Sequence, residues 1–115
     1  MNTTAKQVLE SAAHVVLVAH TQRAFARGDR GQKINVWERA ACQWCTAGAV
    51  EAAILDLTLL DIMRRRKLAE QAMDAVQQTI DERHGGGNYS VVGWNDEVCA
   101  TGEDAYYLLM EAASK

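Results

Sequence analysis

LLDIMRRRKLAEQAMDAVQQTIDERHGGGN, residues 59–88, is the stretch whose reading decides the fold. Leu59, Ile62, Met63, Ala69, Met73, Val76 and Ile80 recur at helical intervals and form one apolar stripe, with Arg64, Arg65, Lys67, Glu70 and Asp81 mostly outside it. The spacing predicts a long helix over Leu59 to Arg83. His84, Gly85, Gly86, Gly87 and Asn88 stop it, because glycine adopts the left-handed conformation that closes helices. The whole chain of 115 residues holds eight glycines and no proline. Proline breaks helices and punctuates loops, so its absence beside abundant Ala, Leu, Glu, Gln and Arg points the same way. The expected fold is all-α: one helical domain over residues 1–115, a compact bundle of four to five helices with a Gly-rich irregular connection.

Upstream, Thr3 or Thr4 caps a first helix whose Val8, Ala12, Val15, Val16 and Ala19 share a face, running to about Arg23. Arg27 to Asn35, RGDRGQKIN, mixes glycine with charge and reads as an exposed loop. Asn35 with Glu38 three residues later matches a capping box and starts a second helix. That helix carries Trp37, Ala41, Trp44, Cys45, Gly48, Ala52 and Leu55 on one side, and Gly48 within it implies close approach of another backbone or a large side chain. Downstream, Tyr89 to Trp94, YSVVGW, reads as extended or irregular. Thr101 and Asp104 cap a last helix with Ala105, Leu108, Leu109 and Ala112 on its core face. Trp37, Trp44 and Trp94 are expected at the centre.

With 49% hydrophobic and 23% charged residues the chain has the composition of a globular domain, not a disordered one. Twelve Lys+Arg against fifteen Asp+Glu, a net charge of -3, argue against nucleic acid as the main partner. The polar start MNTTAKQVLE lacks the pattern of a secretory leader, and the longest apolar run, Val15 to Ala19, is far short of the ~18 residues of a membrane span. A cytoplasmic protein with no membrane association is expected. Three cysteines, an odd number, suit reduced thiols better than a disulfide framework.

Four groups of residues hold chemistry worth weighing. Cys42-x-x-Cys45 has the spacing of a thiol-exchange pair or half a zinc site, with Cys99 and His84 as further ligands. Placed inside the second helix, however, these cysteines read first as structural, and neither metal nor cofactor is expected. Trp94-Asn95-Asp96 reads first as a helix cap beside a core-sealing ring, and second as a pocket in which Asp96 acts as base or ligand contact. His20, before the loop with Arg27, Asp29 and Arg30, would join Asp96 in a polar cleft under that second reading. No serine, cysteine or carboxylate stands near a histidine in a triad-like spacing, and Gly85-Gly86-Gly87 lacks the Lys-Ser/Thr of a phosphate loop. Arg64-Arg65-Arg66-Lys67 reads first as a solvated face and second as a contact for nucleic acid or an acidic protein.

Three patterns occur in order: Arg23-Ala24-Phe25-Ala26-Arg27 before a Gly/Asp-rich turn, Trp44-Cys45-x-x-Gly48-Ala49, and Trp94-Asn95-Asp96. Together, over about Thr21 to Ala112, they resemble a family of small bacterial and bacteriophage proteins of unknown function marked by WCxxGA and WND. This chain departs from that pattern at His20, Arg23 and Gly28, where Trp, Gly and Asp are usual. The resemblance implies a compact bacterial or phage-encoded protein and transfers no activity.

The small size and the lack of a catalytic set favour an interaction protein that binds another protein or a second copy of itself, such as a phage-encoded accessory or host-modulating factor. The alternative is a small enzyme or ligand-binding domain using His20, Arg27 and Asp96. A weaker alternative is nucleic-acid binding through Arg64, Arg65 and Lys67.

Overall fold

The computed structural model describes residues 4–57 and 62–115. The expected start of the long helix at Leu59, and Thr3 as an alternative cap, lie outside the described residues. Five helices alternate with a small sheet in the order α1 (Ala5–Ala19), β1 (Ala26–Arg27), β2 (Lys33–Ile34), β3 (Gln43–Trp44), α2 (Thr46–Leu57), α3 (Ile62–His84), α4 (Val91–Glu97) and α5 (Gly102–Ala113). The mostly helical expectation holds. The all-α class is corrected by the three-stranded antiparallel sheet, ordered β2-β1-β3. Among the described residues, no helix is long and apolar enough to cross a membrane.

Local signals account for most helix ends. The Thr4 hydroxyl accepts from the Gln7 amide at 3.3 Å while the Gln7 side chain accepts from the Thr4 amide at 2.9 Å, closing a capping box. Thr101 and Asp104 repeat the device at α5. The long helix ends as its glycines dictate, with Gly85 and Gly87 at φ +86° and +81°.

The core is apolar surface removed from water by α1, α2, α3 and α5. Val8, Leu9, Ala12, Ala13 and Val16 of α1 face Ala105, Leu108, Leu109 and Ala112 of α5, all buried. These two helices approach so closely that a Cβ on Gly102 would lie 2.2 Å from the Val16 carbonyl oxygen. On α3 the buried line is Leu68, Ala72, Val76, Thr79 and Ile80, whereas Ile62 and Met63 are exposed, which corrects the start of the expected stripe.

The segment between α1 and α2 differs most from the expectation. The first helix stops at Ala19, four residues early, and the second begins at Thr46, not at Asn35. Half of the Asn35–Glu38 box forms: the Asn35 amide donates to Glu38 Oε2 at 2.7 Å, while the Glu38 amide donates to the Asn35 backbone carbonyl at 3.1 Å and not to its side chain. It closes one turn and no helix follows, because residues 43 and 44 pair with β1 instead. Trp37 is therefore 68% exposed and not a core residue, while Trp94 is 2% exposed. Tyr89 to Trp94, read as irregular, contains the start of α4, where the Ser90 hydroxyl accepts from the Gly93 amide and Val91, Trp94 and Asn95 turn inward.

Candidate functional site

Asn95 is fully buried on α4 and joins three segments distant in sequence. Its Oδ1 accepts from the Thr46 amide at 2.9 Å, the Thr46 hydroxyl at 2.7 Å and His20 Nε2 at 2.8 Å. Because a backbone N–H can only donate, Oδ1 is the acceptor there, and His20 Nε2 accordingly donates to it. The Asn95 amide group in turn donates to the Thr21 carbonyl and to Asp96 Oδ1, both at 3.1 Å. A buried amide with every group partnered costs little and fixes a single arrangement, whereas a partly satisfied one is expensive. The segment leaving α1, the first residue of α2, and α4 are thus tied at one point.

Of the residues expected to form a polar cleft, His20 bonds to Asn95 and not to Asp96, and Arg27 hydrogen-bonds to neither His20 nor Asp96. Asp96 Oδ1 also accepts from the Arg23 amide at 2.8 Å. Arg23 has φ +62°, a left-handed conformation that glycine adopts without strain. The Arg27 guanidinium donates to the Thr21 hydroxyl at 2.9 Å, the Gln22 carbonyl at 2.9 Å and the Gly31 carbonyl at 2.8 Å. It stitches the end of α1 to the hairpin formed by β1 and β2. Asp29 is exposed at the tip of that hairpin, within the turn in which the Gly31 amide donates to the Gly28 carbonyl.

The cysteines separate. Cys42 is exposed, and Cys45 is buried after β3, so the pair flanks a strand instead of lying within a helix. Three residues of extended chain span about 10 Å at ~3.3 Å each, beyond the ~7 Å within which two Cα atoms can be bridged by a disulfide. Cys45 caps α2, its Sγ accepting from the Gly48 amide at 3.2 Å, and burial pushes its thiol pKa up. Cys99 Sγ lies 3.6 Å from His20 Nε2 and donates to the Thr101 carbonyl at 3.2 Å. Burial, then the Asp104 charge, pushes this thiol up to about 11. A thiol so raised is protonated at neutral pH and is no nucleophile. Moreover, Cys99 and Asn95 meet the same nitrogen of His20, so the three cannot act as a relay across the ring. No group of three metal-binding side chains occurs among the described residues.

An open groove of about 710 Å³ lies beside the knot, its wall formed by Arg23, Phe25, Ile34, Trp37, Val92 and Asp96. Glu38, Glu51, Lys33 and buried Cys45 also line it. Gly48 permits this architecture: a Cβ there would sit 2.0 Å from the Phe25 carbonyl oxygen, so α2 passes directly under the backbone that carries Phe25. The expected close approach of another backbone is thus seen. Phe25 is 53% exposed on this wall, and Trp37 also borders a second cavity of about 480 Å³ next to Val15, Trp44, Ala53 and Leu55.

Of the expected binding residues, only Asp96 lines the groove; Trp94 seals the core below it, and Asn95 anchors it. Arg64, Arg65 and Lys67 lie on α3, which contributes no residue to the groove. His84 stacks edge-on against Tyr89 at 5.3 Å. Phe25, Trp37 and Glu51 were missed. The signal for Trp37 was the turn closed by Asn35 and Glu38, in which Val36 is buried and Trp37 is exposed; no local signal marks Phe25 or Glu51. A family model described as "Family of unknown function (DUF6197)" matches residues 1–115. No curated protein and no solved structure matches the chain.

Proposed function

Since the chain belongs to that family of unknown function, we propose from its geometry that it is an interaction protein, binding another protein through the groove between Phe25, Trp37 and α4. The observation that carries this reading is the pair of large aromatic rings, Phe25 and Trp37, held in solvent on the wall of a 710 Å³ groove. Exposed aromatic side chains beside a concavity are the usual energetic anchors of protein interfaces, because they bury much area at small entropic cost. The frame beneath them is rigid: Gly48 lets α2 support Phe25, and Asn95 fixes the neighbouring segments. Three free thiols suit a reducing compartment, so the cytoplasm of a bacterial cell is the proposed setting.

Affinity purification from the source cells, repeated with Trp37→Ala, tests the reading. Trp37 contributes little to the core, so the variant should keep its melting temperature. A partner retained by the native chain should lose at least tenfold in affinity for the variant, measured by calorimetry with the purified pair. Equal affinity of both forms would sink the groove as the binding site.

A further inference from the structure

The groove is lined by three carboxylates and two cations. Asp96 and Glu38 are half-buried, and each is fixed by a backbone amide: Asp96 Oδ1 by Arg23 at 2.8 Å and Glu38 Oε2 by Asn35 at 2.7 Å. Glu51 of α2 adds a third carboxylate. Among the described residues none of the three has an ion-pair partner within 4.0 Å; the two bridges present, Arg83–Glu111 and Lys115–Glu82, lie elsewhere. The groove's two cations, Arg23 and Lys33, are exposed, unlike Asp96 and Glu38. A partner entering the groove therefore meets the aromatic side chains of Phe25 and Trp37 together with two half-buried carboxylates held by backbone amides and the exposed carboxylate of Glu51.

From this arrangement we infer that the groove receives an arginine or lysine side chain from an exposed segment of the protein partner. A guanidinium or alkylammonium is the group that gains from both features at once. Its charge is attracted to the faces of Trp37 and Phe25, and its N–H groups reach the free oxygens of Asp96, Glu38 and Glu51. Half-buried carboxylates already oriented by backbone amides lose little freedom when a cation arrives, which favours binding. The chain's net charge of -3 assists the encounter. An acidic segment or a nucleic acid would instead bring its charge against three carboxylates. The inference rests on the groove being the interaction site.

The test uses the full chain and capped pentapeptides, Ac-Gly-Ala-Xaa-Ala-Gly-NH2, with Xaa Arg, Lys, Leu or Glu, titrated while the Trp37 indole N–H signal is followed by NMR. The Arg and Lys peptides should shift that signal saturably, with dissociation constants at least fivefold lower than those of the Leu and Glu peptides. Glu38→Gln with Glu51→Gln should erase the difference, and the wild-type ranking stands even if that double variant folds poorly. Equal affinities for Arg and Leu, or a Trp37 shift driven best by the Glu peptide or by an eight-residue oligothymidylate, would overturn the cationic inference and leave the groove reading standing. Absence of any Trp37 response, together with partner binding unaffected by Trp37→Ala, would remove the groove reading and this inference with it.

Discussion

The helical frame and the segment from residue 20 to residue 45 are held together by different forces. In the frame, α1 and α5 bury an unbroken set of apolar side chains, from Val8 and Leu9 to Leu108 and Leu109, and their helix ends are capped by neighbours three residues away. In the 20–45 segment the strands are two residues long, and the connections run through Arg27 and the buried amide of Asn95. Apolar burial is non-directional and tolerates adjustment, whereas hydrogen bonds to a single buried amide demand one geometry. The frame supplies stability; the polar knot supplies the position of the groove wall.

The contrast can be broken most forcefully from the frame. Leu108→Ala removes a fully buried side chain and leaves a cavity between α5 and its neighbours. It should lower global stability by about 2–5 kcal/mol in urea titration, with protection from hydrogen exchange falling in every helix together. An effect confined to α5 would show that the frame is not one cooperative unit.

Asn95→Ala attacks the other side of the comparison. It leaves the Thr46 amide, the Thr46 hydroxyl and His20 without their shared acceptor, at about 1–3 kcal/mol for a buried group so orphaned. Exchange should accelerate first over residues 20–45 and α4, with α1 and α5 protected until global unfolding. Uniform acceleration would mean that the knot and the frame melt as one.

The smallest effect concerns pH. The Cys99 thiol is raised from its ordinary 9.0 to about 11, so the unfolded chain releases this proton first as the solution becomes alkaline. The stabilisation is complete below pH 9 and declines as pH rises toward 11. Comparing urea midpoints of wild type and Cys99→Ala between pH 8 and pH 10.5 isolates the contribution: the wild type should lose more stability across that interval. Parallel losses would show that Cys99 is not sequestered beside His20.

How far the sequence was legible follows the same division. The stripe Val8, Ala12, Val16, the α5 face and the glycine stop after α3 were readable because each signal lies within a few residues of the structure it makes. The stretch from Asn35 to Cys45 misled: a capping-box pattern followed by Trp37, Ala41, Trp44 and Cys45 at helical spacing looks helical, yet the Cys42 amide donates to the Arg27 carbonyl and the Cys45 amide to the Phe25 carbonyl. The short α4 was hidden by the β-prone Val91-Val92 pair, and its helical spacing shows only once Val91, Trp94 and Asn95 are seen to face inward together. His20 and Asp96, expected in one cleft, each bond to Asn95 and not to each other. Phe25 and Trp37 could not be recognised as groove residues while Trp37 was assigned to a helix.

The sequence by itself determined a mostly helical domain with defined caps, because helix periodicity and capping act over one or two turns. Only the tertiary structure decided where residues 20–45 lie and which aromatic rings face solvent. The bonds that settle this link Asn95 to His20, Thr21 and Thr46 across 75, 74 and 49 positions, and no local spacing encodes them.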